Sequence, residues 1–228
     1  MPSVAHGSNV CSQLITPMKF IRLAIVSLSL AHAIAYAGNE LTLTDSKATV
    51  PDLTPFNQGK MEFQFSGGAM TSLFNFGPYR PKITDLDGSL RLGWMLYTPT
   101  GNGFFRGNFE FLLEADGALV VRGPETGFTG GNIVFRYNFV QPGSKWVPYI
   151  QLQGGGVYTD IDHDPNQHLI GRDEEFFLGT GVGVRCFLSQ RTALTVEINY
   201  RHNSDADTAD RNIGLNSVGG MIGFSVLF

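Results

Sequence analysis

His202, Ser204 and Asn216 are the residues of this chain whose types and spacing could do chemistry together. A Ser hydroxyl is a weak nucleophile until a neighbouring imidazole takes its proton, and the imidazole works best when a third group fixes its tautomer. In Leu194 to Ser204, LTVEINYRHNS, the even positions Leu194, Val196, Ile198 and Tyr200 are apolar, whereas Thr195, Glu197, Asn199, Arg201 and Asn203 are polar. Strand side chains alternate between two faces, so His202 and Ser204 extend the oily row. After the next connection, Gly214, Asn216, Val218, Gly220, Ile222 and Phe224 form a second oily row. A hairpin that sets Ser204 against Gly214 sets His202 against Asn216, with Cβ atoms ~5 Å apart. Along its own strand Ser204 lies ~6.5 Å from His202 between Cα atoms. Hydroxyl, imidazole and carboxamide then converge on one apolar wall, close enough for Ser-to-His and His-to-Asn hydrogen bonds. That arrangement suits acyl transfer, and the carbonyls accessible at such a wall are lipid esters. The same residues also read as interfacial polar groups near headgroups, and spacing alone does not choose.

The elements that must position this trio share one pattern. Met61, Phe63 and Phe65 alternate with Glu62, Gln64 and Ser66, and Leu90, Leu92, Trp94 and Leu96 with Arg91, Gly93 and Met95. Phe109 to Asp116, Ile133 to Phe139, Ile150 to Gln153 and Leu178 to Leu188 repeat it. With the two closing segments this makes eight strands. A soluble barrel would alternate too. The polar rows, however, collect charges of both signs, Glu62, Arg91, Glu110, Glu114, Asp116, Arg136, Arg185, Glu197 and Arg201, which could pair inside a narrow lumen. The other rows are rich in Phe, Leu and Val. Polar inside and apolar outside is the signature of an all-β, eight-stranded antiparallel up-and-down transmembrane β-barrel, closed so that no backbone edge meets lipid. Inward Gly179, Gly181 and Gly183 would relieve crowding in so small a barrel.

The remaining sequence agrees with this reading. The chain has 228 residues, enough for one domain, with 28 Gly, 18 Phe, 16% charged residues and a net charge of -4. The slightly acidic balance without a basic cluster excludes nucleic acid as a partner. Met18 to Ala37, MKFIRLAIVSLSLAHAIAYA, is a secretory signal peptide: two basic residues, an apolar run too short for a spanning helix, and Ala35-Tyr36-Ala37 before Gly38. Residues 1–17 precede a plausible start at Met18, and 38–58 are expected as an irregular periplasmic lead, flexible or short and plug-like, to a barrel over 59–228. Cys11 and Cys186 are far apart and are expected to form no disulfide. Ile222, Phe224, Val226 and Phe228 alternate to a terminal Phe, as the recognition end of outer-membrane barrels does. Short connections at Tyr97 to Gly103, Gln141 to Lys145 and Ser189 to Arg191 are expected on the periplasmic side. Longer ones at Met70 to Thr84, Val121 to Thr129, Tyr158 to Glu174 and Asp205 to Arg211 are expected outside.

Tyr200-Arg201-His202-Asn203-Ser204-Asp205-Ala206, followed by Asn212-Ile213-Gly214-Leu215-Asn216, resembles the His-x-Ser-Asn-Ala … Asn-x-Gly-x-Glu signature of the lipid A 3-O-deacylase (PagL) family. The likeness extends weakly over 59–228 and is sharp between Tyr200 and Asn216. It implies an eight-stranded barrel of the bacterial outer membrane, an ester hydrolase acting on the lipid A of lipopolysaccharide without metal or cofactor. It also implies Ser204 as nucleophile, His202 as general base, Asn216 at the orienting post, and Asn212 with Gly214 as oxyanion or supporting positions. Three departures stand out. The family's catalytic Glu falls on Asn216, its Asn after the Ser on Asp205, and a glycine that offers its backbone N–H on Asp207. Asn216 can accept from the imidazole but brings no negative charge, and Asp205 or Asp210 could take that part. The alternative is a non-catalytic small barrel serving envelope integrity or surface interaction. Outer-membrane lipid is a partner under either reading, and a homodimer through the lipid face stays open. Asp160, Asp162, Asp164 and Asn166 begin like a calcium loop, but Pro165 replaces its Gly and Gly171 its closing Glu. An ordinary solvated loop is expected there, with a loose divalent-cation contact near lipopolysaccharide phosphates as the alternative.

Overall fold

A computed structural model describes residues 54–74, 79–124 and 126–228. The signal peptide expected at 18–37, residues 1–17 and most of the 38–58 lead lie outside the described residues. Eight strands follow in order: β1 (Met61–Ser72), β2 (Thr84–Met95), β3 (Gly107–Arg122), β4 (Gly127–Phe139), β5 (Trp146–Thr159), β6 (Glu174–Phe187), β7 (Thr192–Ser204) and β8 (Leu215–Leu227). Each pairs antiparallel with its sequence neighbour, and β1 pairs with β8 to close the barrel. Twelve residues at ~3.3 Å each give roughly 40 Å, which a tilt of about 40° reduces to the ~30 Å of a bilayer's hydrocarbon core. The eight predicted strands are therefore all present and long enough to span.

The core is inside out. The largest fully buried side chains include Arg91, Arg136 and Arg185, while Leu152, Leu178, Ile198 and Ile222 are exposed on the outer wall. Arg185 pairs with Glu62 and, at 2.9 Å, with Glu110. Arg91 pairs with Glu114 and, at 2.6 Å, with Glu197. Arg136 lies 3.6 Å from Glu62, Glu110 and Glu197. Tyr149 and Gln151 donate to Glu197 and Ser225 donates to Glu62, so all eight strands enter one network. Charges withdrawn from water are costly unless each is paired and hydrogen-bonded, and only a closed barrel brings these eight strands round to one another. The inward glycines make room, as expected: a Cβ on Gly183 would sit 2.4 Å from the Tyr149 ring, and one on Gly181 2.1 Å from Asn199 Oδ1.

Apolar plugs close both ends of this polar layer. Phe56, from a 3₁₀ turn at Thr54–Phe56, packs edge-on to Phe187 among Met95, Val147 and Leu227. At the opposite end Ile83, Ile161, Leu169, Ile170, Phe177 and Leu215 cluster. The connections differ from expectation in two places. β3 and β4 extend so far that residues 123–126 alone join them, in place of the longer loop expected over Val121 to Thr129. The β2–β3 connection, expected as a short turn, runs from 96 to 106 and contains a 3₁₀ turn at Gly103–Phe105. Cys186 is a free thiol in β6.

Candidate active site

The hairpin of β7 and β8 pairs His202 with Asn216 and Asn203 with Leu215, the register in which Ser204 faces Gly214. Thr195, Glu197, Asn199, Arg201 and Asn203 are buried in the lumen, which leaves the even-numbered row of β7 on the outer wall. His202, Ser204 and Asn216 are each half-buried there, at the end of the barrel that carries the β5–β6 and β7–β8 loops. His202 Nδ1 lies 2.9 Å from Asn216 Oδ1. The Tyr200 hydroxyl donates to the same oxygen at 2.5 Å. With the oxygen end of the carboxamide toward the ring, Nδ1 carries the imidazole proton and Nε2 keeps a lone pair. That is the tautomer a general base needs.

Gly214 governs where the ring sits. A Cβ there would lie 2.7 Å from His202 Cε1 and 3.5 Å from Nε2, and its φ of 81° is left-handed. Its own N–H donates to the Leu169 carbonyl at 2.9 Å, so what Gly214 offers the site is space. Cε1 and Nε2 thus form the edge of the ring nearest Gly214. Among the described residues no hydrogen bond joins the Ser204 hydroxyl to His202.

Beyond Ser204 the chain turns sharply. The Thr208 N–H reaches back to the Asp205 carbonyl at 3.3 Å, with Ala206 at φ 56° and Asp207 at φ 65° between them. Two consecutive left-handed residues are the mark of a type I′ turn, for which glycine is preferred. Holding L-residues there costs roughly 1–2 kcal/mol each. The turn leaves the Ala206 and Asp207 N–H groups without hydrogen bonds to the described residues. Asn212 Oδ1 accepts from the Asp205 N–H at 3.3 Å, which anchors its carboxamide next to the residue after Ser204 and leaves the NH₂ end as a donor. Asp205 itself is buried and accepts from the Thr208 N–H at 3.1 Å, while Asp210 is exposed. No ion pair joins either carboxylate to His202 among the described residues, so Asn216 alone meets Nδ1.

The β5–β6 loop braces this hairpin, a connection with no sequence signal. Ile213 and Gly214 donate to the His168 and Leu169 carbonyls at 3.1 and 2.9 Å. The Arg211 guanidinium donates to the carbonyls of Asp164, Gln167 and Asp162 at 2.8, 3.2 and 2.9 Å. The acidic run in that loop is used internally. Asp160 accepts from Thr126 N, Gly127 N and the Thr126 hydroxyl, and Asp164 closes a turn on Asn166. Burial raises the Asp160 pKa, but the bonds from Thr126 and Gly127 together outweigh it and hold the carboxyl below its ordinary value. No group of side chains fit to hold a metal ion occurs among the described residues.

Tyr200 is the residue that sequence reasoning passed over, as one more member of the oily row. A signal existed: it pairs with Val218, so Asn216 is its diagonal neighbour on the same face, within reach of a long aromatic side chain.

A closed eight-stranded barrel with a charged lumen and an apolar wall defines an outer-membrane β-barrel, and this one carries a polar trio on that wall. The chain belongs to the lipid A 3-O-deacylase (PagL) family, whose model matches residues 79–225, and it resides in the bacterial outer membrane. Among solved structures, the crystal structure of the outer membrane enzyme PagL aligns with a TM-score of 0.51 at 17% identity, covering 71% of this chain and 97% of that one. Neisserial surface protein A aligns with the same TM-score of 0.51 at 13% identity, covering 74% and 99%. Both likenesses concern the fold. No curated protein matches the chain.

Proposed function

We propose that this protein is a lipid A deacylase-like hydrolase that removes an ester-linked acyl chain from lipopolysaccharide, with Ser204 as nucleophile, His202 as general base and Asn216 as orienting residue. The observation that carries the reading is the 2.9 Å contact of His202 Nδ1 with Asn216 Oδ1 on the outer wall, with Ser204 in the same row, in a chain of this family. In small outer-membrane barrels the longer loops face the cell exterior, which sets this patch at the outer leaflet. There Nε2 takes the Ser204 proton as Oγ attacks the ester carbonyl. The oxyanion is met by donors at the turn, for which the Asn212 NH₂ and the unengaged Ala206 and Asp207 N–H groups are available. The imidazolium then protonates the departing sugar oxygen, and water releases the acyl group from Ser204 by the same steps in reverse.

Mass spectrometry of lipid A from cells making the intact protein or the Ser204→Ala variant tests the proposal. Loss of one acyl chain with the intact protein alone is expected, and identical patterns would remove the enzymatic claim. The neutral Asn216 favours the other reading, a non-catalytic small barrel serving envelope integrity or surface interaction.

A further inference from the structure

A carboxamide at the orienting post has a defect that a carboxylate does not. A carboxylate offers the imidazole two equivalent oxygens. Asn216 offers an acceptor on one side and a donor on the other, and rotation about its last torsion, a broad two-fold potential, exchanges them. If Nδ2 faced the ring, Nδ1 would have to accept, the proton would move to Nε2, and Nε2 could no longer take one from Ser204. A neutral orienting residue therefore makes the tautomer of His202 ambiguous unless a third side chain decides it.

We propose that Tyr200 is that positioning residue: its hydroxyl fixes the rotation of the Asn216 carboxamide so that Oδ1 meets His202 Nδ1 and the imidazole keeps Nε2 free. Tyr200 Oη donates to Asn216 Oδ1 at 2.5 Å, and His202 Nδ1 meets the same oxygen at 2.9 Å. In the rotated state the phenol could still accept from Nδ2. Its own O–H would then lack an acceptor on the β8 side, because Ile198 and Val218 are apolar, His202 Nδ1 would be taken by Nδ2, and Thr180 faces Tyr200 from the opposite side, on β6; an unmade hydrogen bond in an apolar setting is costly. The hydroxyl thus favours one amide rotamer, and that rotamer favours one tautomer. The inference rests on the reading of Ser204 and His202 as nucleophile and base, and it adds a fourth side chain that touches neither substrate nor nucleophile.

Two measurements on the full chain in detergent micelles test it. Nitrogen chemical shifts of isotope-labelled histidine, with the His202 signal identified by its loss in His202→Gln, report the tautomer directly and need no turnover. The parent should show one tautomer with the proton on Nδ1. Tyr200→Phe should show a mixture or the opposite tautomer, and an unchanged spectrum would overturn the proposal. In hydrolysis assays with lipopolysaccharide, Tyr200→Phe should lower kcat by roughly three- to tenfold at constant KM, the range one neutral hydrogen bond covers. In the Asn216→Glu background, where both acceptors are equivalent, the same change should cost less than about twofold. Equal losses in both backgrounds would mean that Tyr200 merely packs. If the parent hydrolyses nothing, the hydrolase reading fails while the tautomer experiment still decides the part of Tyr200.

Discussion

Replacing Asn216 by Glu should accelerate hydrolysis, and the structure sets the size of the gain. The orienting oxygen lies 2.9 Å from His202 Nδ1, the atom that shares the positive charge once the imidazole has taken the Ser204 proton. A unit negative charge at that distance stabilises the imidazolium by about 1.4 kcal/mol in water and by about 6 kcal/mol at an effective dielectric constant of 20. The corresponding rate factors run from ~10 to ~10⁴. Serine proteases, which lose ~10⁴ when the equivalent Asp becomes Asn, mark the upper bound with a buried acid. The half-buried wall position screens the charge, so we expect roughly 10²-fold. The carboxylate fits without rearrangement, since Tyr200 donates to this position and Gly214 leaves the ring its space. The assay is release of free fatty acid from lipopolysaccharide by purified protein in vesicles, quantified by mass spectrometry. Circular dichroism establishes that the variant is a folded barrel. A folded Asn216→Glu protein that releases acyl chains no faster than the parent would refute the reasoning, because this site would then gain nothing from charge behind its imidazole.

Three further outcomes follow from the barrel and its loops. Glu197→Gln places an NH₂ group amid donors from Arg91, Gln64, Tyr149, Gln151 and Asn199, and leaves the nearby arginines short of a counter-charge. It should destabilise the barrel by about 3–5 kcal/mol in urea unfolding from vesicles. Arg211→Ala removes three hydrogen bonds between the β5–β6 loop and the hairpin. It should cost about 2 kcal/mol of local stability, read as faster hydrogen exchange at the Ile213 and Gly214 amides, with a fall in activity. Asp160, held below its ordinary value of 3.8, stabilises the folded loops above that pH. As the pH falls through its lowered folded-state value the carboxylate is protonated and that contribution is lost. Exchange at the Thr126 and Gly127 amides should therefore quicken only in strong acid, and an Asp160→Asn variant should lose most of this pH dependence.

Much of this was legible in the sequence. Alternation marked all eight strands, and parity told lumen from wall, because a strand's two faces are set by a period of two that needs no knowledge of its neighbours. The pairing of His202 with Asn216 followed from centring one hairpin. Loop lengths were read less well. β3 and β4 continue their ladder into residues that read as loop, because backbone pairing can proceed where the side-chain pattern has faded. The lead's contribution showed no pattern either, since Phe56 is one residue filling one hole.

What the sequence by itself determined is which side chains face lipid and which face the lumen, and that a hydroxyl, an imidazole and an amide share one wall. Only the tertiary structure decided which end of the Asn216 amide meets His202, through the hydroxyl of Tyr200, and how the hairpin is held, through carbonyls of the β5–β6 loop. Facing is a local property of an extended chain. The rotation of an amide and the bracing of a loop depend on groups that barrel closure and loop packing bring together, and no spacing along the chain encodes those distances.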